Sequence, residues 1–165
     1  MSLNLLKQYN SLLEFLYFKD VENMASFRRV FNKDFVDNEL IIRGIRVIPT
    51  QADGEDTMDR LFRHLTTKIT DESTKKREFD SDRTIRIHWI RNHIEGKKSD
   101  NIIFTVPNEK RIYILDKQER YVIIFEPSRN SQELFLLTAY KLLPANYKNI
   151  MTKYEKRSIN GIVLL

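Results

Sequence analysis

Cysteine is absent from this 165-residue chain, which closes off disulfides and thiolate metal sites. Glycine and proline are scarce, four of each, and no glycines cluster into a phosphate-cradling loop. HxxxH, HExxH and acidic calcium-loop patterns are missing too, and so is a glycine-flanked nucleophilic serine. The five-residue step from His88 to His93 does not match the helical spacing of zinc ligands. No metal or other cofactor is therefore expected. No apolar run approaches the roughly 18 residues of a membrane span. The opening "MSLNLLKQYN" lacks the basic start and apolar centre of a secretory signal. Together these absences predict a cytoplasmic protein with no membrane partner.

What is present is a core. Hydrophobic residues make up 41% of the chain, enough for one ordinary domain with an appendage. The net charge of +5 is unevenly spread. Residues 1–82 carry 13 Lys/Arg and 15 Asp/Glu, whereas residues 83–157 carry 15 and 8, a net +7. A basic second half favours a polyanionic partner such as nucleic acid.

Hydrophobic spacing predicts the elements. Leu5, Leu6, Leu12, Leu13 and Leu16 predict a helix over 3–18, capped by Asn4 or Ser2. Val21, Met24, Phe27 and Phe31 predict a second over 20–32, with Asp20 as its cap. "LIIRGIRVI" (40–48) reads as one strand with a bulge at Gly44. A helix follows from Asp56 or Thr57 to Thr67, then an exposed, charged loop over 70–82. Asp82 is the expected N-cap of a helix over 83–95, which Gly96 ends. Strands at about 101–105, 110–115, 120–126 and 133–140 have short connections and imply an antiparallel meander. Pro144 starts a Lys- and Tyr-rich helix over 144–157. The expected class is α+β: N-terminal helices, then a helix, a four-stranded antiparallel sheet and a C-terminal helix.

Two groups of polar residues invite chemistry. His88 and His93 share the predicted helix but fall on different sides of it, so at most one serves as a main proton-transfer group. His64 stands alone in "LFRHLT". Each histidine also fits a polar residue at the margin of a core helix. The last strand, "ELFLLTAYKL", ends in Thr138, Tyr140 and Lys141. Alternation places Leu134, Leu136, Thr138 and Tyr140 on one face. A hydroxyl and a phenol at its end can bond a phosphate oxygen that a nearby cation neutralises. A packed tyrosine beside a threonine of good β-propensity is the plainer alternative.

The order "RTIRIHWIRNHIEG", "RYVIIFEP", "ELFLLTAYKLLP", "YKNIMTKYEKR" resembles the phage- and toxin-associated branch of the barnase–EndoU–colicin–RelE-like nucleases. In that group an R-x-x-R-aliphatic-x-W-aliphatic helix precedes a "YVV"-type strand, a strand ending in "TAY" and a "KxYEK" helix. Here these are Arg83–Ile90, Tyr121–Ile124, Thr138–Tyr140 and Lys153–Lys156. The resemblance covers about residues 60–157 and implies a metal-independent ribonuclease whose sheet binds RNA on its concave face. It implies His88 as general base or acid, Arg120 as phosphate stabiliser, and Thr138 and Tyr140 as orienting or proton-donating groups. Arg86, Arg91, His93, Arg111 and Lys141 are the implied RNA contacts. The match is weakest at His88, where many members carry proline or another residue.

The expected organisation is a helical accessory segment over 1–70, a ribonuclease domain over 83–157 and a tail over 158–165. Expected partners are RNA, tRNA included, and an immunity or antitoxin protein. A non-catalytic nucleic-acid-binding module on the same fold and a protein-interaction domain remain alternatives.

Overall fold

The structure is a computed structural model that describes residues 3–8, 11–15, 20–96 and 101–159. Its class is mixed α+β. The predicted meander is present: β5 (Asn101–Thr105), β6 (Ile112–Asp116), β7 (Tyr121–Pro127) and β8 (Glu133–Lys141) pair antiparallel in chain order. The sheet, however, has six strands and not four. Residues 40–49 form a hairpin of β1 (Leu40–Ile42) and β2 (Ile45–Pro49) in place of one bulged strand. Arg43 and Gly44 both take positive φ, 46° and 84°, as a two-residue turn matched to strand twist requires. β2 then pairs parallel with β8 over Glu133 to Leu136, which extends the sheet at that edge.

The sheet is covered on both faces. Ile112, Tyr113, Ile114 and Leu115 are all buried, as a strand with two dry faces must be. One face packs Ile112, Ile114, Tyr121, Ile123 and Phe125 against Phe27, Phe31, Leu61, Ile87 and Trp89. The other packs Tyr113, Leu115, Val122 and Ile124 against Ile150 of α5 (Pro144–Glu155). Residues on both sides of 70–82 thus share one core.

α1 (Asp20–Phe31) buries Phe27 and Phe31 of the predicted stripe but leaves Val21 exposed in its first turn. Asp20 is its first helical residue rather than its cap, and a π-helical turn, Asn32–Val36, prolongs it. α2 (Thr57–Thr66) opens on Asp56, whose side chain accepts from Asp59 N at 3.0 Å.

Three expectations fail for stated reasons. The helix over 3–18 is reduced to a 3₁₀ turn, Leu3–Leu6, followed by irregular chain at 7–8 and 11–15. Its backbone groups are used elsewhere: Leu13 N donates to Ile85 O at 2.9 Å, and Ser11 O accepts from the Trp89 indole at 3.1 Å. Asn4 accepts from Glu14 N at 2.8 Å rather than capping a helix. The expected cap Ser2 and the stripe residue Leu16 lie outside the described residues.

The loop over 70–82 contains a hairpin of β3 (Thr67–Asp71) and β4 (Lys76–Phe79). Its strands bury nothing, so no apolar alternation marked them. Asp71 builds the turn by accepting from Ser73 N at 2.8 Å. Finally, the helix over 83–95 splits into α3 (Ser81–Thr84), capped by Asp80, and α4 (Trp89–Ile94). Thr84 and residues 86–90 are all buried, and a continuous amphipathic helix cannot bury adjacent residues on every side. Turns with i to i+3 bonds, such as Trp89 N to Arg86 O at 2.9 Å, bridge the pieces. Gly96 ends α4 at φ 69°, as expected.

Phe31 is fully buried between Phe35 and Phe62, with ring centroids at 4.8 and 5.2 Å. Phe31→Ala is expected to cost about 3–5 kcal/mol. Urea unfolding at neutral pH checks this as a lower midpoint with an unchanged slope.

Candidate functional site

β8 carries the "TAY" residues, and a bulge sets how they face. Ile124 pairs with Thr138 while Phe125 pairs with Leu136, so Leu137 is the extra residue. The slip moves Leu134 and Leu136 to the face of Ile123 and Phe125, whereas Leu137 and Tyr140 pack toward α5. The expected single face of Leu134, Leu136, Thr138 and Tyr140 is therefore broken, but Thr138 and Tyr140 still share a side, opposite Ile124 and Val122.

β2 pairing stops at Leu136, and Arg83 occupies the edge beyond it. Its Nη1 donates to Thr138 Oγ1 at 3.3 Å, to His64 O at 3.1 Å and to Thr67 O at 2.9 Å. The same guanidinium stands 5.2 Å from the centre of the Tyr140 ring. The first arginine of the R-x-x-R motif thus meets the threonine and the tyrosine of "TAY". Burial holds Arg83 below the usual arginine value, against the pull of Asp80 and the Tyr140 and Tyr121 phenols.

A second arginine extends this corner. Arg77 of β4 donates through Nε to Thr67 Oγ1 at 2.8 Å and through Nη2 to Thr67 O at 2.9 Å. Burial, then the charges of Arg77, Arg60 and Arg63, lower His64 to about 4, so its imidazole is neutral at pH 7. Arg77 and Arg83 thus meet at the Thr67 carbonyl, and Arg83 reaches on to Thr138 and Tyr140. Arg83 was legible only as the opening residue of a motif. Arg77 gave no signal, because it sits in a charged stretch without periodicity.

His88 lies in different surroundings. It lines a cleft of about 550 Å³ with Gln8, Lys33, Asp34, Arg91 and Asn92, and Arg120, Thr138 and Tyr140 are not among the lining residues. One ring nitrogen, Nε2, meets Gln8 O at 3.2 Å, and burial lowers the imidazole to about 4. Arg120, at φ 51° in the turn before β7, lies over the Tyr147 ring of α5 at 5.0 Å. The four residues implied as catalytic are not gathered in one cleft: Thr138 and Tyr140 meet at Arg83, and His88 and Arg120 stand elsewhere.

The implied RNA contacts divide by burial. Arg86 is buried against Trp89 at 5.4 Å and donates to Asp82 O at 2.6 Å. Arg91 clasps Asp34 O at 2.7 Å and Glu95 at 2.5 Å. His93 is sealed between two acceptors, Trp89 O at 2.7 Å and Asp116 Oδ2 at 3.0 Å, and ties α4 to the turn after β6. Arg111 and Lys141 are exposed. Among the described residues no three His, Asp or Glu side chains lie together as a metal site, and no helix is long and apolar enough to cross a membrane.

No family model matches the chain, and neither a curated protein nor a solved structure matches it significantly.

The two depressed histidines set a pH dependence. His64 and His88 titrate near 4 when folded and near 6.5 when unfolded, so the unfolded chain takes up protons first as pH falls. Their contribution to stability is complete above about 6.5 and is lost toward 4. Urea midpoints measured from pH 7 to pH 4.5 are expected to fall, and His88→Gln, which keeps a donor for Gln8 O, is expected to flatten that fall.

Proposed function

We propose that the chain is a metal-independent endoribonuclease whose reacting phosphate binds at the corner formed by Arg83, Thr138 and Tyr140. One observation carries this: the R-x-x-R and "TAY" motifs, 55 residues apart at Arg83 and Thr138, touch through the Arg83 hydrogen bond. They are two of the four segments on which the resemblance to the barnase–EndoU–colicin–RelE-like nucleases rests.

The chemistry asks little of a protein. The RNA 2′-oxygen bonds to the adjacent phosphorus as the bond from phosphorus to the 5′-oxygen breaks. A base takes the 2′ proton, and an acid returns one to the leaving oxygen. The nucleophile belongs to the substrate, so proximity is supplied in advance. Arg83 and Arg77 balance the charge that builds on the phosphate. Tyr140 offers a proton donor beside them. His64, neutral at pH 7 and bonded to Arg83 through its backbone carbonyl, is assigned as the proton acceptor. His88 takes no part, because its ring belongs to the cleft beside Gln8.

One feature favours a non-catalytic nucleic-acid-binding module: three protein acceptors already engage Arg83 Nη1. Cleavage separates the two. The purified chain is expected to cut RNA in EDTA and leave 2′,3′-cyclic phosphate ends, with DNA resistant for want of the 2′-hydroxyl. Tyr140→Phe removes one hydroxyl and is expected to slow cleavage by about 10²-fold with the fold intact, whereas His88→Gln keeps the rate. Activity abolished by EDTA, or 3′-hydroxyl ends, overturns the mechanism. Binding without cleavage of any RNA selects the binding module.

RNA affinity is also expected to fall at least roughly tenfold between low and physiological salt, as cations displace counterions from phosphates. A flat response in a filter-binding assay would favour a protein partner instead.

A further inference from the structure

α5 and the turn between β6 and β7 share a surface that the catalytic corner does not use. Tyr147, Ile150 and Tyr154 lie at i, i+3 and i+7 on α5. Ile150 is buried, and the two tyrosines are half-buried at the rim of the same cluster. Each ring carries cations. Arg120 stands 5.0 Å from the Tyr147 centroid. Lys117 and Arg157 stand 4.3 and 4.2 Å from that of Tyr154.

These cations differ from those that carboxylates hold. Arg28, Arg46, Arg63, Lys75, Lys76 and Arg91 all face carboxylates. Lys117, Arg120, Lys141 and Arg157 are exposed and pair with no carboxylate among the described residues. From 141 to 157 the chain carries five Lys/Arg against one Glu. The patch is continuous with the corner above. Tyr121 pairs with Lys141 and Val122 with Tyr140, so Arg120 sits beside the residue after Tyr140. Leu142 N donates to Arg120 O at 2.7 Å and fixes that junction.

We infer that single-stranded RNA runs from the Tyr140 corner along this track, first past Arg120 and Tyr147 and then past Lys117, Tyr154 and Arg157. The inference rests on RNA being the partner and deepens that proposal by naming the substrate's path. Tyr147 and Tyr154 are two helical turns apart, about 10 Å, and present a stacking cation at each step. Phosphates meet unpaired charge, and unpaired bases meet guanidinium planes and rings. A duplex hides its base faces, so the track selects single strands. Arg120 then acts in binding and not at the reacting phosphate.

The test uses a fluorescein-labelled RNA of about a dozen nucleotides with 2′-O-methyl sugars, which binds but cannot be cut. Fluorescence anisotropy is read across a salt series for the whole chain and for a K117S/R120N/R157S variant. Asn suits the left-handed backbone at position 120. The variant is expected to bind at least tenfold more weakly, and its salt slope is expected to shrink by about 2, as three lost phosphate contacts require. A duplex of the same length is expected to bind more weakly than the single strand. An unchanged affinity and slope in a variant with unaltered circular dichroism would overturn the track. So would equal binding of the duplex, or full competition by polyglutamate at equal charge. Cleavage by the variant at the parent rate with unchanged KM would sink the track and leave the ribonuclease standing. Track-dependent binding without any cleavage would do the reverse.

Discussion

A guanidinium held mostly out of water must find most of its acceptors inside the protein, and Arg83 meets that constraint by tying four elements together. Its side chain is only 13% exposed. Nη1 faces the carbonyls of His64 at the end of α2 and Thr67 at the start of β3, together with the Thr138 hydroxyl on β8. Removing this group would take a donor from all three acceptors, of which Thr67 O would keep Arg77. Substituting it by lysine would restore charge on a single rotatable ammonium without the fixed plane that aims Nη1 at them. The split of the predicted helix over 83–95 follows from the same place: α3 is a single turn that holds Arg83 at the sheet edge, and the chain must then turn to bury Ile87, Trp89 and Ile90.

The legible parts of the fold were those where burial has a simple period. α1, α2 and the β5–β8 meander each bury one stripe or one run, and the turns "PNEK", "DKQE" and "PSRNSQ" punctuate them. The illegible parts were those where burial and period part company. Leu5 and Leu13 are spaced as on a helix, yet long-range hydrogen bonds from Leu13 N and Ser11 O hold the chain irregular. β3 and β4 pair through backbone and polar side chains without a buried face, so their sequence looks like solvent-facing loop. The β1–β2 hairpin was hidden because Arg43 takes a positive φ that a non-glycine residue rarely adopts.

The candidate site was legible to the extent that its residues act through contact rather than through type. Thr138 and Tyr140 stand together as alternation requires, and a bulge that no single sequence discloses turns them away from Leu134 and Leu136. Histidine, by contrast, was a poor guide. His88 and His93 lie one turn and a half apart, but each is buried and engaged, one with Gln8 O and one with Asp116. His64, in a stretch with no motif around it, is the one that arginines surround. A residue's neighbours in space, not its intrinsic pKa, decide whether it has chemistry to offer.

The two faces of the sheet divide the labour. One face is sealed by α1–α4 and the N-terminal chain, and there the polar side chains of Arg86, His93 and Asp116 serve as fastenings. The other face meets only α5, and its rim keeps Arg120, Lys141 and Arg157 in water. A concave face open to RNA across the whole sheet is therefore not how this fold presents charge. The surface open to a polyanion is the edge of β8 past Leu136 together with the flank of α5. At that edge the parallel partner strand ends, the bulge turns Thr138 and Tyr140 to the face of α5, and the exposed cations begin. The same interruption of regular sheet that leaves β8 without a neighbour brings the half-buried Arg83 close to the exposed cations at the rim.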